Sequence, residues 1–195
     1  MSTRITTGKV RLSYAHVWEP REAQNGGKPK YSTAILIPKT DTTTVQAIQQ
    51  ATQEAAQEGA AKYGTSWPSN IQALKTPLRD GDVERADDPI YAGHYFLNAS
   101  SVNPPSIVDQ MAKNLDPNVP LDREQVYSGV YARVIFDLYA YNTSGNRGIG
   151  AGLQAIQKWA DGERLSGGGV DGEKAFAPIP GATPAGDTGG FGLLD

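Results

Sequence analysis

The sequence predicts a mainly β protein, a small barrel with one helix inserted after the first hairpin. Three observations carry this prediction. Several runs alternate apolar and polar residues, a single clear helical stretch occurs early, and the composition changes to Gly, Pro, Ala and Asp after residue 160. We therefore expect a folded domain over residues 1–160 and a disordered acidic tail over residues 161–195.

Composition narrows the class of protein further. The chain has 195 residues, no cysteine and two histidines, which excludes disulfides and leaves little for a zinc site. No apolar run approaches the length of a membrane span, and the N-terminus lacks a signal core. We expect a soluble intracellular protein. The net charge is −3 and is concentrated in the tail, so the domain itself is close to neutral.

The first element is a long β-hairpin. Residues 8–18 alternate, with Val10, Leu12 and Tyr14 on one face, and residues 31–39 form a second strand that stops at Pro38. The polar loop between them contains an Asn-Gly-Gly turn and several cations. Residues 41–63 follow as a helix that Asp41 or a neighbouring threonine caps, with a thin alanine-rich apolar stripe for packing on a sheet.

The rest of the domain is mostly β. Residues 76–89 form a polar loop, residues 90–101 are strand-like, and residues 126–143 form a long strand. A glycine-rich turn, SGNRGIGAG, then precedes a last short element, LQAIQKW.

The long strand carries an unusual number of tyrosines. One face should enter the core: Ala132, Val134, Phe136, Leu138 and Ala140. The other face carries Tyr131, Arg133, Ile135, Asp137, Tyr139 and Tyr141. Tyrosine favours strands in any case, so β-propensity alone also explains it. A tyrosine face with cations beside it is equally what a sequence-tolerant binder of single-stranded nucleic acid requires.

On that second interpretation, two sets of side chains would contact DNA. Bases would stack on the aromatic set, which is Tyr139, Tyr141, Tyr131, Tyr31 and Trp18. Phosphates would meet the cationic set, which is Lys28, Lys30, Arg133, Arg147, Lys39 and Arg79.

Catalytic motifs give no comparable signal. The sequence contains no phosphate-binding GxxxxGK[ST] loop and no HExxH, and it indicates no enzyme, no metal and no cofactor. The acidic pairs Asp80 with Asp82 and Asp87 with Asp88 leave open a carboxylate–metal nuclease, although solvated turns explain them more simply.

The acidic tail ends with large apolar residues. Its terminal set, Asp187, Phe191, Leu193, Leu194 and Asp195, suits a peptide that docks on a replication or recombination protein. A tail of this charge could also compete with nucleic acid for a cationic groove, and an incidental or purification-derived terminus is the third alternative.

An ordered set of segments resembles a family of bacteriophage single-stranded-DNA-binding proteins with an OB-fold. The segments are GKVRLSYAHVWEP, YSTAILIPKTD, TPLRDGD, GHYFLNASSVNPP, VYSGVYARVIFDLYAYN and GNRGIGAGLQAIQKWADGERLSGG. The resemblance implies an OB-fold-like five-stranded barrel that binds single-stranded DNA in phage replication or recombination, in the cytoplasm of the infected bacterial host. The rival interpretation is a protein-interaction or assembly module. The oligomeric state stays open, a homodimer included.

Overall fold

The first two long strands of the chain form the expected hairpin. A computed structural model describes residues 3–22, 27–143 and 145–165. After a short strand β1 (Arg4–Thr6), strands β2 (Val10–Arg21) and β3 (Lys30–Pro38) pair antiparallel. The alternation of apolar residues in both strands places Leu12 and Ile35 in the core, where neither is exposed. The predicted hairpin is therefore confirmed.

Helix α1 (Thr42–Tyr63) also follows the prediction. The side chain of Asp41 accepts a hydrogen bond from the backbone N–H of Thr44 at 3.1 Å, and Gly64 follows the last helical residue. The buried face is built from small residues between Val45 and Ala55, so the helix lies close against the sheet. Two short 3₁₀ turns, Gly64–Ser66 and Ile71–Ala73, then lead back to the barrel.

The middle of the chain holds short elements around one central strand. Strand β4 (Arg79–Asp80), helix α2 (Gly81–Glu84), β5 (His94–Ser101), β6 (Ser106–Val108) and α3 (Pro120–Arg123) follow in order. The predicted strand over residues 90–101 is too long, because residues 90–93 form turns. In that turn segment the buried Tyr91 packs edge-on against Phe96, with ring centroids 5.0 Å apart.

The last two strands form a long antiparallel ribbon, β7 (Tyr131–Thr143) and β8 (Asn146–Ala160). The prediction of a glycine-rich turn followed by a short element is wrong here. The glycines of residues 148–152 lie within a strand of 15 residues, and the chain reverses direction between Thr143 and Asn146. Gly148 and Gly150 leave room for side chains of the opposite strand, since a methyl group on either would stand 2.7–2.8 Å from a tyrosine.

Five strands close into a barrel. Their order around the ring is β2, β3, β5, β8 and β7, and β7 pairs back with β2. All neighbours are antiparallel except β5 and β8, which are parallel. This closed five-stranded ring, with a helix between its second and third strands, is the OB arrangement that the resemblance implied.

The barrel interior is apolar and continuous. The predicted core face of β7 is confirmed for Ala132, Val134, Phe136 and Leu138, which are buried, while Ala140 is half-buried beside the cluster. No helix within the described ranges combines the length and the apolar character that a membrane crossing requires.

Residues 161–165 continue past β8 and pack against the barrel. The hydroxyl of Tyr127 donates to the carbonyl of Gly162 at 2.9 Å and accepts from its N–H at 3.1 Å. The guanidinium of Arg164 lies 4.1 Å from the centre of the Tyr127 ring, and the N–H of Leu165 donates to the carbonyl of Ser128. The predicted boundary at residue 160 stays a prediction, although five residues beyond it contact the domain.

Candidate nucleic-acid interface

Two hollows lie next to each other on one side of the barrel, over the outer faces of β3 and β5. The first, of about 470 Å³, lies beside the hairpin, and the second, of about 570 Å³, lies beside the end of the β7–β8 ribbon. Asn98 of β5 lines both hollows, so they are neighbours, and we call the two together the groove. In an OB barrel this face, between the hairpin loop and the last ribbon, is the surface that receives oligonucleotides.

The floor of the groove is flat because its side chains are small. On the outer face, Ser32 pairs across the strands with Ser100, and Ala34 pairs with Asn98. These four short side chains leave the strand surface open to a ligand, while their neighbours on the inner face fill the core. The alternation of the two strands thus supplies both the barrel interior and a polar floor.

Tyr14 forms one wall of the groove through an irregularity in β2. Ser13 pairs with Ala34 and His16 with Ser32, so β2 contains one residue more than β3 over this span. The resulting bulge gives Tyr14 a φ of 48°, in the left-handed region, and leaves its side chain 55% exposed. A residue distant in sequence stabilises the bulge. The hydroxyl of Ser128 accepts a hydrogen bond from the backbone N–H of Ala15 at 2.8 Å.

Tyr139 and Tyr141 rise at the opposite end of the groove. Their cross-strand partners are Gly150 and Gly148, and a methyl group on either glycine would stand 2.7–2.8 Å from the opposing tyrosine. The rings therefore lie over a strand surface that has no side chains of its own. Tyr139 is 46% exposed, and burial, followed by the charge on Tyr141, raises the pKa of its hydroxyl.

Cations line the groove along its length. Arg21, Lys30 and Arg85 border the hairpin hollow, and Lys75 and Arg79 border the other. The guanidinium of Arg79 lies 4.3 Å from the Phe96 ring centre and 3.4 Å from a carboxylate oxygen of Glu84. The Nζ of Lys75 donates to Asn146.

His16 lies between the floor and the hairpin cations. One guanidinium nitrogen of Arg21 lies 3.2 Å from its Nε2. Burial, with a smaller contribution from the charge of Arg21, lowers the pKa of His16 below its usual value. The imidazole is therefore mainly neutral near pH 7 and does not compete with Arg21 for an anion.

The structure separates the residues that the sequence grouped together. Tyr141, Arg79 and Lys30 line the groove, Tyr139 stands beside it, and Lys28 is exposed next to the hairpin loop. Arg147 is half-buried next to the Lys75 end, and its Nε is buried without a hydrogen-bond partner among the described residues.

The remaining residues of the predicted site lie elsewhere or have other partners. The Nζ of Lys39 is 2.7 Å from carboxylate oxygens of both Asp80 and Asp82, which raises its pKa. Trp18 packs against the core and donates its indole N–H to the carbonyl of Val126, while Tyr31 is half-buried opposite Ser101. Two further members, Tyr131 and Arg133, occupy the far end of β7. The tail residues Asp187, Phe191, Leu193, Leu194 and Asp195 lie outside the described residues.

The groove also contains residues outside the predicted stacking and phosphate sets. Tyr14, His16, Arg21, Lys75, Arg85 and Asn98 all line it. Tyr14 was assigned to the core face by its alternation with Leu12, and only the bulge turns it outward. The polar alternation of β2 and of β5 was the one signal that could have found His16 and Asn98 respectively.

The acidic loop serves the fold in the described structure. Besides binding Lys39, Asp82 accepts a hydrogen bond from the N–H of Gly93 at 2.8 Å, and Asp88 accepts one from Ile90. Within residues 3–22, 27–143 and 145–165, no three His, Asp or Glu side chains converge as a metal site would require.

A five-stranded OB barrel with an open groove of tyrosines and cations over its second and third strands belongs to the class of oligonucleotide-binding barrels. The chain itself belongs to the family described as Enterobacter phage Enc34, ssDNA-binding protein, whose model matches residues 3–187.

Individual relatives agree with this family. The chain is 31% identical over 179 residues to protein p50 of Acyrthosiphon pisum secondary endosymbiont phage 1, covering 89% of this chain and 92% of that one. The single-stranded DNA-binding protein from bacteriophage Enc34, solved in complex with ssDNA, has a TM-score of 0.73 at 23% identity, covering 84% of this chain and 90% of that chain. The single-stranded DNA-binding protein gp2.5 encoded by bacteriophage T7 has a TM-score of 0.60 at 16% identity, with coverages of 84% and 94%. At these identities the two structures establish the shared fold.

Proposed function

We propose that this chain binds single-stranded DNA along the groove, without catalysis and with little sequence preference, during phage DNA replication or recombination in an infected bacterial host. The observation that carries the proposal is the groove itself. It has a floor of short side chains, a tyrosine in each hollow, and a lining in which five cations outnumber two acids, Glu22 and Glu84. Family membership supports the same function.

The tyrosines of the groove suit bases, and the cations that line it suit phosphates. Tyr14 and Tyr139 expose about half of their side chains, which offers π-faces that any base can use. Stacking of this kind contributes about 1–3 kcal/mol per base. Lys30, Arg85 and Lys75 form no ion pair among the described residues, so they are available to a polyanion.

The contacts of the acidic residues near the groove favour binding without catalysis. Asp80 and Asp82 neutralise Lys39 and hold the turn before β5. A nuclease that used these carboxylates would have to break those contacts before it could bind a metal ion.

Fluorescence titration with oligo-dT, repeated with duplex DNA and at several salt concentrations, tests the proposal. We expect tight binding at low salt that weakens steeply as salt rises, because each neutralised phosphate releases counterions. Tyr139→Ala with Tyr141→Ala should lower the affinity at least tenfold, about 1.4 kcal/mol or more, while Tyr139→Phe with Tyr141→Phe should retain it. No binding of oligo-dT at low salt would refute the proposal.

The role of the tail is a separate part of the proposal. Because residues 161–165 contact the barrel, a clean truncation removes residues 166–195. A DNA-binding domain should keep or gain affinity for oligo-dT when these acidic residues are lost. A protein-interaction module would instead lose its partner, and its titration with DNA would be flat before and after truncation.

A further inference from the structure

We infer that the chain carries a second surface for single-stranded DNA, on the outer face of β7 and β8 at the end away from the groove. We call it the distal patch, and its members are Lys9, Arg11, Tyr131, Arg133 and Trp159. The inference rests on the proposed function, since it concerns the same ligand. It adds a site that the groove does not include.

The distal patch is separate from the groove along the strand. Arg133 and Tyr141 are both on the outer face of β7, but at about 3.3 Å per residue they stand about 26 Å apart. Between them, Asp137 is bound to Arg4 through an ion pair of 2.8 Å, so this part of the face offers no free cation. DNA at the Tyr141 end of the groove would therefore not reach Arg133 and Trp159, whereas Arg11 lies on β2 only three residues before Tyr14.

Trp159 provides the aromatic surface of the patch. Its side chain is 45% exposed, whereas Trp67 is buried and Trp18 is packed against the core. The side chain of Gln110 donates to the backbone carbonyl of Trp159 at 2.6 Å, which fixes the strand and leaves the indole ring accessible. An exposed tryptophan on a rigid strand is well suited to stack on a base at small entropic cost.

Of the two cations beside this tryptophan, Arg133 has no carboxylate partner among the described residues. Arg133 lines a hollow of about 310 Å³ together with Gln110, Gln157, Lys158 and Trp159. Its Nε donates only to the carbonyl of Thr7, at 3.4 Å, and it belongs to no ion pair among the described residues. Nearby, Lys158 is bound to Asp161 at 2.8 Å, so that acid is already neutralised.

Lys9 and Arg11 extend the positive charge along the edge of the barrel. The Nζ of Lys9 lies 4.4 Å from the centre of the Tyr131 ring, and the guanidinium of Arg11 lies 5.6 Å from it. Arg11 also donates to the backbone carbonyls of Gly129 and Glu163. Tyr131 therefore holds two cations beside its ring, and its predicted role as a stacking residue stays a prediction.

The lining of the hollow favours a polyanion over an apolar partner. The side chains around Trp159 include Arg133 and two glutamines, which can donate to phosphate oxygens, while Lys158 is held by Asp161. One ring and three unpaired cations predict a weak, salt-sensitive site. The DNA could be the continuation of the strand in the groove or a second strand, and both have the same chemistry.

Two oligonucleotide lengths distinguish the patch from the groove. An oligo-dT of about 8 nucleotides lies within the range that one OB fold covers, and one of about 30 exceeds it. We expect Arg133→Glu to weaken binding of the long oligonucleotide about fivefold or more at low salt and to leave the short one unchanged. Lys62→Glu is the matched control, because it makes the same charge change at an exposed residue of α1.

Tryptophan fluorescence locates the contact. The long oligonucleotide should quench tryptophan emission in the wild type, and Trp159→Phe should remove that quenching. If excess short oligonucleotide also quenches Trp159 in a second, weaker phase, the patch holds a separate strand. If only the long one does so, the patch continues the first strand.

Other outcomes overturn the inference. Unchanged long-oligonucleotide affinity in Arg133→Glu together with no quenching of Trp159 by either length, or equal weakening of both lengths, would show that no second site exists. A change of oligomeric state in that variant without a change in DNA binding would assign this face to self-association. Failure of the wild type to bind the short oligonucleotide would refute the groove proposal instead, so the two failures are distinguishable.

Discussion

The ring of Tyr139 lies directly over Gly150, its cross-strand partner, so that a methyl group on the glycine would stand 2.7 Å from Cζ of the tyrosine. At Gly148 a methyl group would stand 2.6 Å from the backbone carbonyl oxygen of Lys75 and 2.8 Å from the hydroxyl of Tyr141. Gly150 is thus required by Tyr139, and Gly148 by Lys75 and Tyr141 together. Aromatic side chains lie flat at the end of the groove only because the neighbouring strand is bare there.

Replacement of this glycine should therefore damage both the site and the ribbon. We expect Gly150→Ala to displace the Tyr139 ring, with a loss of about 1–3 kcal/mol of unfolding free energy and weaker binding of oligo-dT. Urea denaturation and DNA titration would measure the two effects.

A control lies two residues further along the same face of β8. The nearest atoms to a methyl group on Gly152 are 3.7 Å away, which is ordinary contact. Gly152→Ala should be close to wild type in both measurements. If both variants lost the same stability and DNA affinity, the glycines would be needed for the flexibility of the strand and not for the contact with the tyrosine ring.

The bulge at Tyr14 predicts a conflict between stability and binding. A non-glycine residue with a φ of 48° costs about 1–2 kcal/mol relative to glycine, and Tyr14 exposes more than half of its side chain. We expect Tyr14→Gly to raise the unfolding free energy by about 1 kcal/mol and to lower DNA affinity.

Tyr14→Ala separates these two effects. It removes the ring but keeps the strained backbone, so it should bind DNA as weakly as Tyr14→Gly without gaining stability. Thermal or urea unfolding of both variants checks this expectation. DNA affinity equal to that of the wild type in both variants would remove Tyr14 from the site.

The Lys39 ion pairs predict a pH dependence of stability. The hydrogen bond from Lys39, followed by that from the Gly93 N–H, lowers the pKa of Asp82 in the folded state below its ordinary value of about 3.9. A lowered folded-state pKa contributes stability above the unfolded value, and this contribution is lost as pH falls through the folded value.

We therefore expect Asp82→Asn to be less stable than the wild type at pH 7, with the difference shrinking as the pH falls below about 4. Asp87→Asn is the control, since Asp87 is exposed in the same loop and has no hydrogen bond or ion pair among the described contacts. Urea unfolding across pH measures both variants. A difference between Asp82→Asn and the wild type that does not shrink as the pH is lowered below about 4 would contradict the assignment.

The contacts of Tyr127 predict that residues 161–165 are held to the barrel. Tyr127→Phe removes a hydroxyl that both donates to and accepts from Gly162, which should cost about 1 kcal/mol and speed tryptic cleavage after Arg164. Tyr63→Phe also removes a hydroxyl that donates to a backbone carbonyl, that of Ala140, and should leave that cleavage unchanged.

Local patterns predicted most of the fold and part of the interface. The hairpin, helix α1 and the core face of β7 follow from periodicity and from Asp41, all of which act within a few residues. The bulge at Tyr14 depends on Ser128, more than a hundred residues away, and the strand conformation of Gly150 depends on Tyr139. Contacts of this range leave no local pattern to find.

The sequence predicts a single interface because periodicity indicates which face of a strand a residue occupies, but not how far along the strand it lies. Tyr131, Arg133, Tyr139 and Tyr141 share a face, and periodicity can establish nothing more than that. Position along a strand of 13 residues places the first two at the opposite end from the groove. The ion pairs of Lys39 leave no local pattern either, because its partners, Asp80 and Asp82, lie 41 and 43 residues further along the chain.

The closure of the barrel has a consequence for synthesis of the chain. Strand β2 completes its pairing with β7 through Val10 and Ala132, and β5 completes its own with β8 through Ala99 and Ala151. A chain emerging from the ribosome can form the hairpin and α1 early, but both edges of that sheet stay open until the last ribbon has been made. Those edges are templates for unwanted pairing between neighbouring nascent chains. Aggregation during rapid expression should therefore arise from β2 and β5, and slower translation should relieve it.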